Sequence, residues 1–269
     1  MRIETNHQLV KRNRRTANIL FFASMAVLLG GFLVANLQLT AAKDPSSAAL
    51  SLFLPWLVLP VGFLLVMQSV KMTNQWLRPL RPEAAIQEGL KGLSKRSVLY
   101  NYYHGPVRHV LVAPQGVFAI VTRFQEGNYT AEGDQWKEPG GAGAALLRFF
   151  RRDGIGNPTA EAQAAAASIQ GLLSKSFPNV EVKPMVIFVD PRAELTLINP
   201  TIPILYASEN KEPNLRDFMR QLAADQTEKQ PEEDDTDTSK KKGKPVEKPS
   251  AGFNPEAIAD ALEEATIIT

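Results

Sequence analysis

Apolar positions along this chain change their rhythm three times, and each change marks a different kind of structure. Residues 19–37 and 49–70 contain no charged side chain at all. At about 1.5 Å per residue, a helix of either length reaches across roughly 30 Å of hydrocarbon. Both runs are therefore expected to span a bilayer, joined by an external loop at 38–48. A cleaved signal sequence has a shorter apolar region and gives no reason for a second uncharged run to follow. Pro55 and Pro60 fall inside the second run. In lipid they are tolerated as a kink, because neighbouring helix or local adjustment satisfies the freed backbone groups.

From residue 82 the continuous runs give way to periodic ones. Ile86, Leu90 and Leu93 recur at helical spacing and make one apolar face. The stretches "SVLYNYY", "VRHVLVA" and "VFAIVTRF" are rich in β-branched and aromatic residues, and the last two flank a turn at Pro114, Gln115 and Gly116. They predict a hairpin. Asn157 and Pro158 open an alanine-rich helix with an N-cap and a proline at its first position. "VKPMVIFV" is nearly continuous in apolar residues, as an interior strand should be, and "PILYA" is a further strand. An amphipathic segment, "NLRDFMRQLAA", closes the pattern. The fold class expected over 82–225 is α/β, with a mixed central sheet flanked by helices.

The third change falls at 226–253, where "EEDDTD" precedes "SKKKGKPVEKPSAG". Opposite charge blocks with almost nothing to bury predict a disordered linker. Residues 254–266 then form a short helix with Ile258 and Leu262 four apart. Such a helix is too small to hold itself, and a protein partner through it is one expectation.

The net charge of +2 names no partner, but the placement of charges does more. Residues 1–18 form a basic segment carrying Arg2, Lys11, Arg12, Arg14 and Arg15; Lys43 and Asp44 cancel in the loop; Lys71, Arg78 and Arg81 follow the second run. Positive flanks stay inside, which predicts a multi-pass protein of the cell membrane with both termini cytoplasmic. The chain has no cysteine, so disulfides, thiolate metal sites and thiol nucleophiles are excluded. His7, His104 and His109 are too scattered for a helical zinc motif, and the glycine-rich stretch at 139–156 lacks the preceding strand a dinucleotide loop needs. Within that stretch Arg148, Arg151 and Arg152 interleave with Phe149 and Phe150. The combination suits phosphate and stacked bases, or anionic lipid; the plainer reading is a helix end whose phenylalanines enter the core while the arginines snorkel.

Several marks in order carry a family resemblance: the opening helix with Glu83, Ile86, Leu90 and Leu93; the hairpin with Gly116-Val117-Phe118; Gly127 after it; the Asn157-Pro158 helix start; and the strand "MVIFV". Together they resemble the NERD family, the nuclease-related domain, a branch of the PD-(D/E)xK or restriction-endonuclease-like fold. The resemblance implies a helix glutamate, an aspartate on the first hairpin strand and a Glu-x-Lys on the second. In such a site the carboxylates hold a divalent cation and the lysine positions the attacking water. Laid on that pattern, this sequence keeps Glu83 and has Arg108 for the aspartate, Val121 for the glutamate and Arg123 for the lysine. Glu161 replaces the glutamine of the family's Asn-Pro-x-x-Gln.

Those exchanges change the expected chemistry. Val121 removes an oxygen ligand, and Arg108 sets a cation where a carboxylate should bind one. At about 4 Å that reversal amounts to several kcal/mol even at an effective dielectric near 20. Arginine also keeps its proton and makes a poor base. The expectation is a catalytically degenerate binding or scaffold module, without cofactor, anchored to the bilayer. Its nucleic-acid candidates are Arg108, Arg123, Arg148, Arg151 and Arg152. Two other readings stand beside it. In one, Arg108 and Arg123 pair structurally with Glu83 or reach solvent as ordinary surface charges; in the other, His109, Glu126 and Asp134 form a relocated Mg²⁺ site in a membrane-tethered nuclease.

Overall fold

A computed structural model describes residues 1–41, 45–78, 80–138, 154–228 and 254–267. Arg148, Arg151, Arg152 and nearly all of the expected linker lie outside the described residues. The chain divides into two compact units, a helical one and an α/β one.

The helical unit is built on α1 (His7–Ala41) and α2 (Pro45–Trp76). Gly31 abuts Val58 and Gly62 abuts Leu28, while the Arg14 Nε donates to the Trp76 carbonyl at 3.2 Å. Partner numbers fall along α2 as they rise along α1, so the helices run antiparallel. Val10, Ala17 and Ser24 are buried and share a seven-residue spacing with Gly31. Gly62 and the buried Ser69 repeat the spacing on α2. A heptad keeps one seam toward a partner, and small residues along it let the two backbones approach closely. In α1 the stretch His7–Val34 contains an 18-residue window with a mean hydropathy of 2.1, and Ile19, Phe22, Phe32 and Leu33 are exposed. Among the described residues it is the one helix long and apolar enough to cross a membrane. The second expected span lies within α2. Residues 1–18, the expected basic segment, hold a strand and the opening turns of α1, whose helix begins twelve residues before the uncharged run.

The α/β unit contains a six-stranded sheet in the order β1-β2-β3-β4-β7-β9. Its strands are β1 (Arg2–Thr5), β2 (Val98–His104), β3 (Val107–Ala113), β4 (Gly116–Arg123), β7 (Val182–Phe188) and β9 (Ile204–Tyr206). β2, β3 and β4 form an antiparallel meander; β1 joins β2 in parallel, and β7 and β9 extend β4 in parallel. The sheet is therefore mixed, as expected, and β7 is an interior strand. A second sheet, β6-β5-β8, comprises β5 (Gly127–Glu132), β6 (Gln135–Lys137) and β8 (Ala193–Ile198). The tight turn into β4 uses Gly116 at φ +136°, a conformation that side-chain-bearing residues rarely adopt.

Strand parity divides the core. Val110, Val112, Val117 and Ala119 point to one face, covered by α4 (Pro158–Leu173) and α6 (Pro255–Ile267). Leu111, Ala113, Phe118 and Ile120 point to the other, covered by α3 (Pro82–Gly89) and α5 (Leu215–Glu228). The short helix expected to need a partner finds one within its own domain. Ile258 and Leu262 are fully buried against Tyr100 and the β3 valines, and the Tyr100 hydroxyl lies 2.8 Å from Glu263 Oε1. Arg2 of β1 pairs with the same carboxylate.

Candidate functional site

The same parity that sorts the core places the inferred site. Arg108 on β3 is in step with Val110 and Val112, and Val121 and Arg123 on β4 are in step with Val117 and Ala119. All three face α4. The register pairs His109 with Ile120, so Arg108 stands one step along, opposite Val121. The three hairpin positions expected to converge do share one sheet face.

Arg123 is 8% exposed and held on three sides. Its Nε donates to the Ile155 carbonyl at 3.1 Å, its Nη1 to the Thr122 carbonyl at 3.1 Å and its Nη2 to Glu161 Oε1 at 2.7 Å. Glu161 occupies the first turn of α4, where the Asn157 side chain accepts from the Ala160 amide and Pro158 starts the helix. A carboxylate there also faces the positive end of the helix dipole. The positions where the family pattern has lysine and glutamine thus hold an ion pair, and the pairing of Arg123 with Glu83 expected from sequence is corrected to Glu161.

Glu83 has a different partner. It lies in the first turn of α3 and accepts a 2.9 Å hydrogen bond from the Tyr102 hydroxyl. Tyr102 adopts φ +66° where the β2–β3 register slips between Asn101 and His104. Such a bulge re-aims a side chain, and here it turns the phenol toward α3 and the His109 ring, 5.1 Å away. His109 is fully buried, with Nδ1 2.8 Å from Asn101 Oδ1, while Asn101 Nδ2 donates to Thr5 Oγ1 at 3.1 Å. Because the Asn101 amide is donating to Thr5, its oxygen accepts and His109 carries its proton on Nδ1. Burial, with Arg108 adding to it, pushes the imidazole down to about 3, so it stays neutral.

Arg108 differs from both. It is exposed by area, and among the described residues no hydrogen bond or ion pair holds it. Yet enough protein surrounds the guanidinium to strip water from it and lower its pKa, and Arg123 adds to the lowering while Tyr102 and Glu161 oppose it. That combination describes a partly desolvated cation at the surface, still protonated because arginine titrates so far above neutrality.

These residues do not fit the divalent cation that the resemblance implies. Such an ion takes several oxygen ligands, and of the four positions only Glu83 carries a carboxylate, on α3, which covers the sheet face opposite the one shared by Val121 and the two guanidinium groups. Among the described residues no group of three or more His, Asp or Glu is placed to share a metal ion. The relocated set does not assemble either. His109 faces α3, Glu126 pairs with Arg192 at 2.6 Å, and Asp134 accepts from Thr201. Glu126 and Asp134 flank the two ends of β5, roughly 20 Å apart at about 3.3 Å per residue.

Sequence reasoning missed Thr5, Asn101 and Tyr102. The available signal was parity: Asn101 and His109 are polar residues at positions where β2 and β3 bury their side chains. Tyr102 had no such signal, since its orientation comes from the bulge.

Residues 73–189 match the family model described as NERD: Nuclease-related domain. The match runs from the last turn of α2 through β7 and so takes in α3, the β2–β4 meander and α4. It supports the nuclease-related family for this part of the chain. Comparison with curated proteins and with solved structures gave no match.

Proposed function

We propose that this chain is a membrane-anchored, nuclease-related domain that recognises nucleic-acid phosphate directly and does not cut it, serving as a binding module at the cytoplasmic face. The observation that carries the reading is Arg108. It stands unpaired among the described residues on the sheet face where the family pattern has a metal-binding aspartate, with Val121 opposite it and Arg123 locked to Glu161. A guanidinium matches phosphate oxygens bidentately, without a metal bridge. Arg148, Arg151 and Arg152, by sequence, supply further cations to the same chain.

The anchor is read as a two-span hairpin. β1 precedes α1, β2 follows α2, and the two lie side by side in one sheet. If α1 crosses the bilayer, the chain returns before β2, and α2, antiparallel to α1, is the segment that brings it back. The basic flanks then set both ends in the cytoplasm.

The test uses the full chain in detergent micelles with labelled DNA and RNA oligonucleotides. The reading expects salt-sensitive, sequence-tolerant binding and no cleavage with Mg²⁺ or Mn²⁺. Arg108→Ala should weaken binding and flatten the log–log salt slope by about 1, as expected for one lost phosphate contact. Cleavage of either polymer, or binding that Arg108→Ala leaves untouched, overturns it.

A further inference from the structure

The face of α1 turned away from α2 carries a feature that anchoring alone does not require. A shallow, open groove runs along it, with Lys11, Arg15 and Asn18 toward one end and Ile19, Phe22, Ala23 and Ala26 beyond. At 100° per residue these positions lie about half a turn from the Val10, Ala17, Ser24 and Gly31 seam that faces α2. Ala23 and Ala26 are short, while Ile19 and Phe22 stand out, 57% and 65% exposed, as walls.

The charged end is equally specific. Lys11 and Arg15 are one helical turn apart and exposed, and neither has a hydrogen bond or ion pair among the described residues. No acidic residue occurs anywhere in α1. Two unneutralised cations therefore sit immediately above an apolar furrow roughly 10 Å long, counted from Ile19 to Ala26.

We infer that this groove seats one anionic diacyl phospholipid, its phosphate between Lys11 and Arg15 and an acyl chain along Ile19, Phe22, Ala23 and Ala26. The inference rests on the proposed membrane crossing of α1. Charge selects the occupant: an anionic headgroup gains from both cations, whereas a choline headgroup brings its own positive charge to the same place. The arginine adds a bidentate fork on phosphate that a diffuse surface potential lacks.

Native mass spectrometry of the full chain, released from detergent with added phosphatidylglycerol or phosphatidylcholine, reads the site directly. The wild-type chain should retain phosphatidylglycerol preferentially. The double variant Lys11→Gln with Arg15→Gln should weaken that retention about 30-fold, the effect of two basic contacts at a membrane surface. Lys71→Gln with Arg81→Gln removes as much charge from the flank of α2 and should leave retention unchanged. Ala23→Phe, which fills the furrow, should lower retention of both lipids. Equal loss in the two double variants means diffuse surface attraction and overturns the site; so does absence of a phosphatidylglycerol preference. Vesicle flotation after a carbonate wash separates the two layers of the argument. A chain that stays with vesicles but shows no preference refutes the site alone, and a chain that washes off refutes the membrane crossing with it.

Discussion

Replacing Arg123 with methionine separates a structural arginine from a ligand-binding one. The substitution keeps an apolar stem of similar reach in a position only 8% exposed, so it opens little space. What it removes is three polar contacts. The arm to Glu161 counts for little, about 0.5 kcal/mol, because the Glu161 side chain is 58% exposed and water screens it. The bonds to the Ile155 and Thr122 carbonyls weigh more, about 1–1.5 kcal/mol each, since their donor is charged and buried. The total expected cost is about 3 kcal/mol, with Glu161→Gln costing about 0.5 kcal/mol and Arg123→Lys falling between, as a point charge replaces a fork. Urea unfolding of the full chain in micelles measures these differences. Trp136 is a local reporter once Trp56 and Trp76 are changed to phenylalanine, because its indole donates to Thr159 of α4 at 2.8 Å and stacks on Phe188. If Arg123→Met leaves the unfolding midpoint where it was but abolishes oligonucleotide binding, Arg123 is a ligand group and the assignment to Glu161 is wrong.

Acid should destabilise the α/β unit through its buried histidines. His104 and His109 sit at about 4 and about 3 because burial disfavours their charged forms, below the 6.5 of the unfolded chain. The unfolded state therefore takes up protons first, and stability that is complete above pH 6.5 is lost as pH falls toward 4 and then 3. By pH 5 the loss is about 2 kcal/mol per histidine, and His109→Gln should remove about half of the total when urea midpoints at pH 8 and pH 5 are compared. Leu262→Ala in α6 should cost about 3 kcal/mol, as for other fully buried leucines; an unchanged midpoint would mean that α6 is seated elsewhere in solution. The chain has no cysteine, so single cysteines report topology without background. Ser46→Cys should react with an impermeant maleimide from outside intact cells and Lys95→Cys only after lysis, the reverse pattern contradicting the hairpin.

How much of this was legible in the sequence depended on whether a residue's fate was decided locally. The meander, α4 with its Asn157 cap, and β7 were readable because β-branched runs, a capping residue and a proline act over a few neighbours. β1 was not, since "RIET" becomes a strand through its pairing with residues 98–101, a contact across the whole hairpin. β5, β6 and β8 are short and half exposed, with little apolar alternation to betray them. At the site, strand parity puts Val121 and Arg123 on one face and His109 on the face opposite Arg108, and the hairpin register adds Arg108 to the first pair. It was silent on partners, which depend on how α3 and α4 seat: Arg123 meets Glu161 and Glu83 meets Tyr102. The C-terminal helix was read as too small to hold itself and as a possible contact for a protein partner; the surface that buries Ile258 and Leu262 is its own sheet.

The account turns on one claim, that the positions where the family pattern places a metal hold none and phosphate is met by arginine. Titration of Mn²⁺ against the full chain, followed by electron paramagnetic resonance of the free ion, addresses it without relying on activity. The account predicts that the free-ion signal follows the added Mn²⁺ with no stoichiometric depletion, with or without a bound oligonucleotide. Depletion by one or two equivalents that disappears in Glu83→Gln would contradict it.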